Sequence, residues 1–358
     1  MTLRVLIDDV IVQTRAVLLE HGQPIHYAIT GLTNGPAVGA RLLGQLTEKI
    51  GDQGDWLVAL ENSGTGYLSA RRAGGLTAGS RAVMGVVRAA EPGKNPQVKP
   101  AKPGVEPQPD WDEIDTFLSA LPEDFNGEIA IGTRALWAKR VAGWQSCFPA
   151  LSTLFTQQFG APGALIDDAP LEALQSQSWP LKSGGRIDFG SVHGITVFDV
   201  NAASARNTRN INLEAAAALP ALLRLAEIGG LIVIDFIDMQ RRADQQAILA
   251  AFDAGFPGKP PRRTGWSKFG LVEVQTQRSG EGLPALLNTD GGAALQGPRL
   301  LCDTFAQASE GQPAPVALSV ENPLYRWLTR HQAAQALSER LGLPVRIDVA
   351  QTGPTSTP

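Results

Sequence analysis

Apolar and polar residues alternate in short runs over the first quarter of the chain. Period-two alternation is the mark of half-buried β-strands. "LRVLI" (3–7) reads as a strand, and "TRAVLLE" and "PIHYAIT" read as a hairpin turning at His21-Gly22. Between residues 40 and 91, glycine-containing turns separate the runs "RLLGQL", "WLVALEN", "GYLSA" and "RAVMGVVRAA". That spacing predicts a small all-β barrel. The segment "PGKNPQVKPAKPGVEPQP" (92–109) has six prolines. Proline offers no N–H to a ladder, so an extended linker is expected there. Residues 110–180 read as mixed and mostly helical. From Gly184 the pattern becomes strand, helix, strand. Residues 279–297 form another Gly-rich connection. The tail from about residue 298 predicts a small α/β unit, with a strand at "APVALSV", one helix near residues 323–341 and a strand at "PVRIDV". The closing "QTGPTSTP" reads as frayed.

The stretch "GGLIVIDFIDM" (229–239) poses a chemical question. Six of its residues are Leu, Ile, Val or Phe, yet it holds Asp235 and Asp238, and a carboxylate is costly to bury. About 36 residues earlier comes "GITVFDVN". Strand alternation sets its Asp199 and Asn201 on one face, near the strand's carboxyl end. Between the two lies a helical segment from about Leu213 to Glu227, stopped by Gly229-Gly230 and bent at Pro220. A strand–helix–strand crossover of this length sets its strands parallel. Asp199 and Asp235 then emerge together at the carboxyl ends, where open α/β sheets bind ligands. Two carboxylates and an amide oxygen suit Mg²⁺, which can activate water and neutralise charge on a phosphoryl group. On this reading a cation offsets the cost of burying Asp235. The spacing also allows aspartates that only cap turns or helices, which is the reading for Asp238.

Composition narrows the classes. Hydrophobic residues make up 43% and charged residues 18%, so a packed core is feasible and disorder is excluded. A net charge of −4 excludes a globally basic nucleic-acid binder. Residues 201–280, however, hold ten Lys/Arg against seven Asp/Glu, a local balance of +3. There "RNTRN" and "RRTGWSKFG" offer guanidinium groups for phosphates and aromatics for bases; a solvated charged surface fits the same counts. Cys147 and Cys302 form no CxxC, so neither a disulfide framework nor a cysteine zinc site is supported. His21, His26, His193 and His331 make no metal-ligand arrangement, and no phosphate-loop motif is present. The start has no signal-peptide pattern and no run of about 18 apolar residues exists, so a soluble cytoplasmic protein is expected.

At these residues the sequence resembles the ribonuclease E/G family. The resemblance runs through "SGGRIDF" (183–189), "FDVNAASAR" (198–206), "NLEAA" (212–216), "GGLIVIDFIDM" (229–239) and "SKFGLVEVQTQR" (267–278). Weaker similarity reaches "TRAVLLEHGQPIHYAI" and the barrel runs "GQLTEKI" and "TGYL". The resemblance implies an α/β (α+β multidomain) chain. An RNase-H-like part with a reduced 5′-sensor region would span 1–36 and 105–180. An OB-fold RNA-binding barrel and the Pro-rich linker would be inserted at 37–104. A deoxyribonuclease-I-like catalytic α/β domain would span 181–285, and a linker with a small C-terminal α/β domain 286–358. It further implies Mg²⁺-dependent hydrolysis of single-stranded RNA leaving a 5′-phosphate. Asp199 and Asp235 would hold the ion and Asn201 would orient a carboxylate or the ion's water. Arg206, Lys268 and Arg278 would hold the RNA backbone. Tyr67 matches a barrel aromatic that could stack a base, with a barrel-core tyrosine as the other reading.

The departures shape the expectation. The family's loop after the first catalytic strand is longer and more acidic than "NTRNINLEAA", and its helix lacks an equivalent of Pro220. "GTRAL" (132–136) is only an echo of the sensor's Arg/Thr pair. No CPxCxG follows Arg278, so a zinc-linked tetramer is not expected and monomer and homodimer stay open. The expected function is thus an endoribonuclease of RNA processing or decay. The alternative is an RNA-binding protein of the same family with weak or lost cleavage.

Overall fold

The computed structural model describes residues 3–32, 35–90, 94–108, 111–203, 207–277, 280, 282–311 and 314–350. The chain folds into two units. One is built from residues 1–29, 124–175 and 285–358, the other from 30–123 and 176–284. Strands are numbered in chain order: β1 (Leu3–Asp9), β2 (Thr14–Glu20), β3 (Gln23–Ile29), β4 (Arg41–Ile50), β5 (Asp55–Leu60), β6 (Gly64–Leu68), β7 (Arg81–Arg88), β8 (Gln97–Pro100), β9 (Ile129–Ile131), β10 (Phe155–Gln157), β11 (Ser178–Pro180), β12 (Arg186–Val192), β13 (Ile195–Asn201), β14 (Leu231–Asp235), β15 (Arg262–Arg263), β16 (Leu271–Gln275), β17 (Val316–Val320) and β18 (Val345–Val349).

In the first unit the sheet order is β10-β9-β1-β2-β3. The expected hairpin is present, with His21 (φ 50°) and Gly22 (φ 78°) in the left-handed region that a two-residue turn requires. The middle segment is mixed, with short helices between strands: β9 pairs in parallel with β1 and β10 in parallel with β9, so both extend this sheet. The tail folds with this unit by contact. Its expected single helix is two, Asn322–Arg330 and Ala333–Leu341. Gln332 between them has φ 51°, a conformation that no helix continues through. β17 and β18 pair in parallel as the tail's own small sheet.

The second unit holds a closed barrel, ordered β4-β5-β6-β8-β7. Its core is Leu42, Leu46, Val58, Leu68, Met84, Val86 and Val98. Here the expected linker is corrected. Residues 97–100 form strand β8, which pairs antiparallel with β7 and meets β6 at Tyr67↔Gln97. Only Pro100 of the segment's prolines lies in that strand, at its last position, while Val98 fills the barrel core.

The unit's other element is a six-stranded sheet, ordered β11-β12-β13-β14-β16-β15. β13 and β14 are parallel, as the crossover predicts. The connecting helix runs Thr208–Leu225, starting five residues before the expected position. The Asn207 side chain caps it, accepting from the Asn210 N–H at 3.1 Å. The helix passes through Pro220 as one element. It is Glu227 (φ 53°), not the glycine pair, that takes the first left-handed position beyond its end. This helix packs on the helix Arg242–Ala254 and reaches β13. Together they bury one face of the sheet, where Phe198, Ile232, Ile234, Ile211 and Ile248 are all fully enclosed.

Candidate active site

Alternation along β13 and β14 decides what the other face carries. Thr196, Phe198 and Val200 point into the core, so Ile195, Val197 and Asp199 point out. Ile232 and Ile234 are buried, so Leu231 and Asp235 point out as well. This corrects the expectation of a buried Asp235. The apolar run is one buried side of a half-open sheet, and both aspartates are exposed.

The register brings the acids together. Asp199 pairs with Asp235 across the parallel strands, and Asp188 of β12 pairs with Asp199 across the antiparallel ones. Neighbouring strands lie about 4.8 Å apart, so three aspartates stand side by side in one row. The row is electrostatically strained. Partial burial and then the charges of Asp199 and Asp238 push the Asp235 carboxyl above its ordinary value. Asp238, expected as a turn residue, is exposed and adds to that field.

Asn201 sits one pleat beyond Asp199. Its side-chain Nδ2 donates to Asp199 Oδ2 and to Asp188 Oδ2, both at 2.8 Å. It therefore fixes one carboxylate of the pair in orientation. Asp188 also accepts from Ser178 Oγ at 2.6 Å and from Arg186 Nε at 2.7 Å. Burial opposes its ionisation, but the bonds from Ser178, Arg186 and Asn201 outweigh that and hold its carboxyl below the usual range. Among the described residues no three or more His, Cys, Asp or Glu side chains form a metal cage. Two exposed carboxylates in register are nonetheless a donor set that fits Mg²⁺, which keeps most of its shell as water and phosphate oxygen.

Asp188, Asn212 and Glu214 escaped the sequence reading. Asp188 had a usable signal. His193 (φ 50°) and Gly194 (φ 86°) form a two-residue turn, and counting outward equally from it sets Asp188 opposite Asp199. Asn212 and Glu214 sit in "NLEAA" and tie down both flanks of the row. Buried Asn212 donates to Ile237 O at 2.7 Å and accepts from Ile237 N at 3.1 Å, fixing the chain just after Asp235. Glu214 accepts from the Ser183 N–H at 2.9 Å and from the Lys182 N–H, fixing the turn before β12.

The residues expected to bind RNA divide. Arg206 and Arg278 lie outside the described residues. Lys268 is exposed, three residues before Leu271, the register partner of Asp235. Tyr67 is a half-buried residue of the barrel, not of its core. Its hydroxyl donates to Asp55 Oδ2 at 2.5 Å, a bond that lowers the Asp55 carboxyl and raises the Tyr67 hydroxyl. It lines a cavity of about 460 Å³ together with Gln53, Asp55, Arg71, Arg72 and Gln97. Two of the cations in the basic stretch are committed to ion pairs, Arg209 to Asp244 and Arg263 to Asp253. His193 lies in the turn at the far end of β13 from Asp199. Among the described residues no helix is long and apolar enough to cross a membrane.

Comparison with known proteins bears on the same segment. The profile of the Ribonuclease E/G family matches residues 166–279. Ribonuclease E of Nostoc sp. strain PCC 7120 is 37% identical over 127 residues, covering 33% of this chain and 18% of that protein. Ribonuclease E of Synechocystis sp. strain PCC 6803 is 36% identical over 112 residues, covering 29% and 17%. Ribonuclease G of Escherichia coli strain K12 is 31% identical over 116 residues, covering 30% and 24%. The chain thus spans less than a quarter of the length of these curated relatives. The matched segment contains the sheet β11–β16 with its row of acids, and over that segment the chain is similar to the ribonuclease E/G family.

Proposed function

We propose that the chain is an endoribonuclease that hydrolyses phosphodiester bonds of single-stranded RNA with a divalent metal, Mg²⁺, leaving a 5′-phosphate. The observation that carries this is the in-register pairing of Asp199 with Asp235 at the carboxyl ends of two parallel strands. Asp199 and Asp235 would hold the ion, which supplies an activated water and a positive charge for the phosphoryl oxygens. Asn201 holds the Asp199 carboxylate in a fixed orientation through its 2.8 Å bond. Lys268, exposed near the same end of the sheet, holds the backbone of the strand by charge; Arg206 and Arg278 are assigned the same role from the family resemblance. The closed barrel is read as an OB-type RNA-binding fold, with Tyr67 as a stacking residue and Arg71 and Arg72 as phosphate contacts at its cavity. The row of acids repels a bare phosphate, which is why the reading requires the cation.

The test is a cleavage assay on a fluorescent single-stranded RNA, with Mg²⁺ or with chelator. Mg²⁺-dependent cleavage is expected in the wild type. Asp199→Asn and Asp235→Asn are each expected to lower it by about a hundredfold or more, the scale of losing one electrostatic group in a transition state. Cleavage that persists in both variants would overturn the site. Binding without Mg²⁺-dependent cleavage would leave the chain as an RNA-binding member of the family.

A further inference from the structure

Phe269 is 89% exposed. A phenylalanine left in water forgoes about 1.5–3 kcal/mol of burial, so its position asks for an occupant. The turn that carries it is ordered by its own hydrogen bonds and anchored at one end. Ser267 Oγ accepts from the Phe269 N–H at 3.2 Å and from the Leu271 N–H at 3.1 Å. Ser267 N donates to Leu271 O at 2.9 Å, and Gly270 N donates to Ser267 O at 3.2 Å. Gly270 takes φ 82°, a conformation that glycine adopts without strain. One residue before Ser267, Trp266 stacks on Phe236 with ring centroids 5.5 Å apart, and Phe236 is the buried neighbour of Asp235.

The turn is also placed beside the acids. Leu271 is the register partner of Asp235. A side chain at Gly270 would begin 3.5 Å from Asp238 Oδ1. Exposed Lys268 adjoins Phe269 in sequence. A hydrogen-bonded turn thus presents one cation and one uncovered aromatic ring at the edge of the carboxylate row.

We infer that Phe269 is a stacking platform for one base of a single-stranded RNA, adjacent to the phosphate that the aspartates address. This rests on the RNA-substrate reading above and adds the residue that sets where along the strand the site is filled. An aromatic platform reads a π-face and not a hydrogen-bonding edge, so it accepts every base but requires an unpaired one.

The test measures binding of a short 5′-fluorescein single-stranded oligoribonucleotide to the full chain by fluorescence anisotropy, with chelator present so that no cleavage intervenes. Phe269→Ala is expected to weaken binding about fivefold or more, with an unchanged melting temperature because the ring is exposed. Phe269→Trp is expected to bind as the wild type does, and Phe269→Leu as weakly as Phe269→Ala. Moving a single abasic nucleotide along the oligomer is expected to find one position at which Phe269→Ala costs nothing further. Equal binding by Phe269→Ala and wild type, or by Phe269→Leu and Phe269→Trp, overturns the inference. A wild type that binds no RNA overturns it together with the RNA reading. A wild type that binds but does not cleave sinks only the nuclease assignment, since the stacking comparison then still decides for Phe269.

Discussion

Asp235 is the residue at which sequence and structure say different things for a physical reason. In the sequence it sits in an apolar run and looks buried; in the sheet it faces outward beside Asp199. Its carboxyl is raised by partial burial and by the charges of Asp199 and Asp238. A raised folded-state value means that the proton is held more tightly in the folded than in the unfolded chain. The group's favourable contribution is therefore complete below the unfolded value of 3.8 and is lost as pH rises through the folded one. At neutral pH its charge opposes folding. Asp235→Asn is accordingly expected to melt no lower than wild type at pH 7 in chelator, with any difference closing as pH falls below about 4. Mg²⁺ at about ten times its dissociation constant is expected to raise the wild-type melting temperature by a few degrees and to leave Asp235→Asn unmoved. A variant that melts well below wild type in chelator would show instead that Asp235 is a structural residue.

Elements were the most legible level, since alternation and turn glycines mark strands directly. The hairpin β2–β3, the barrel runs and the crossover β13–helix–β14 all emerged from pattern. β8 did not, because the prolines around it speak against a strand while its single buried valine is what the barrel needs. The helix start at Thr208 was missed because its first turn is polar, and the Asn207 cap replaces the apolar signal. Glycine placement explains "SGG" at this scale. An added Cβ at Gly185 would lie 2.7 Å from Asn201 O and 2.8 Å from Ile211 Cγ2. The end of β12 can approach both β13 and its covering helix only without a side chain there. Gly185→Ala is expected to destabilise the second unit by about 1–3 kcal/mol, read as an earlier urea transition. It is also expected to lower cleavage below what the residual folded fraction explains, because the displaced backbone is that of Asn201. Wild-type stability and activity together would show that the strand relaxes freely.

At the scale of the whole chain, segments far apart in sequence make one unit, and this was the least legible level. Nothing in the tail's alternation announces that residues 285–358 fold with residues 1–29 and 124–175. The link is made by individual pairs. Arg15, only 2% exposed, donates to Asp168 at 2.8 Å. Arg340 pairs with Asp9 across 331 positions of sequence. Asp9 is 5% exposed, and its other oxygen accepts from the Ile11 N–H at 2.8 Å. Removing the guanidinium leaves a carboxylate in the interior with one oxygen unmatched. Arg340→Met is therefore expected to cost about 1.5–3 kcal/mol. The loss should fall on the first unit and be read as faster hydrogen exchange of the β1 and β2 amides. Asp9→Asn in the same chain removes the stranded charge, so the double variant is expected to recover much of the loss, a coupling that neither single change predicts. If Arg340→Met exchanges as slowly as wild type, the pair is incidental, and the tail is held to the first strand by packing of its helices instead.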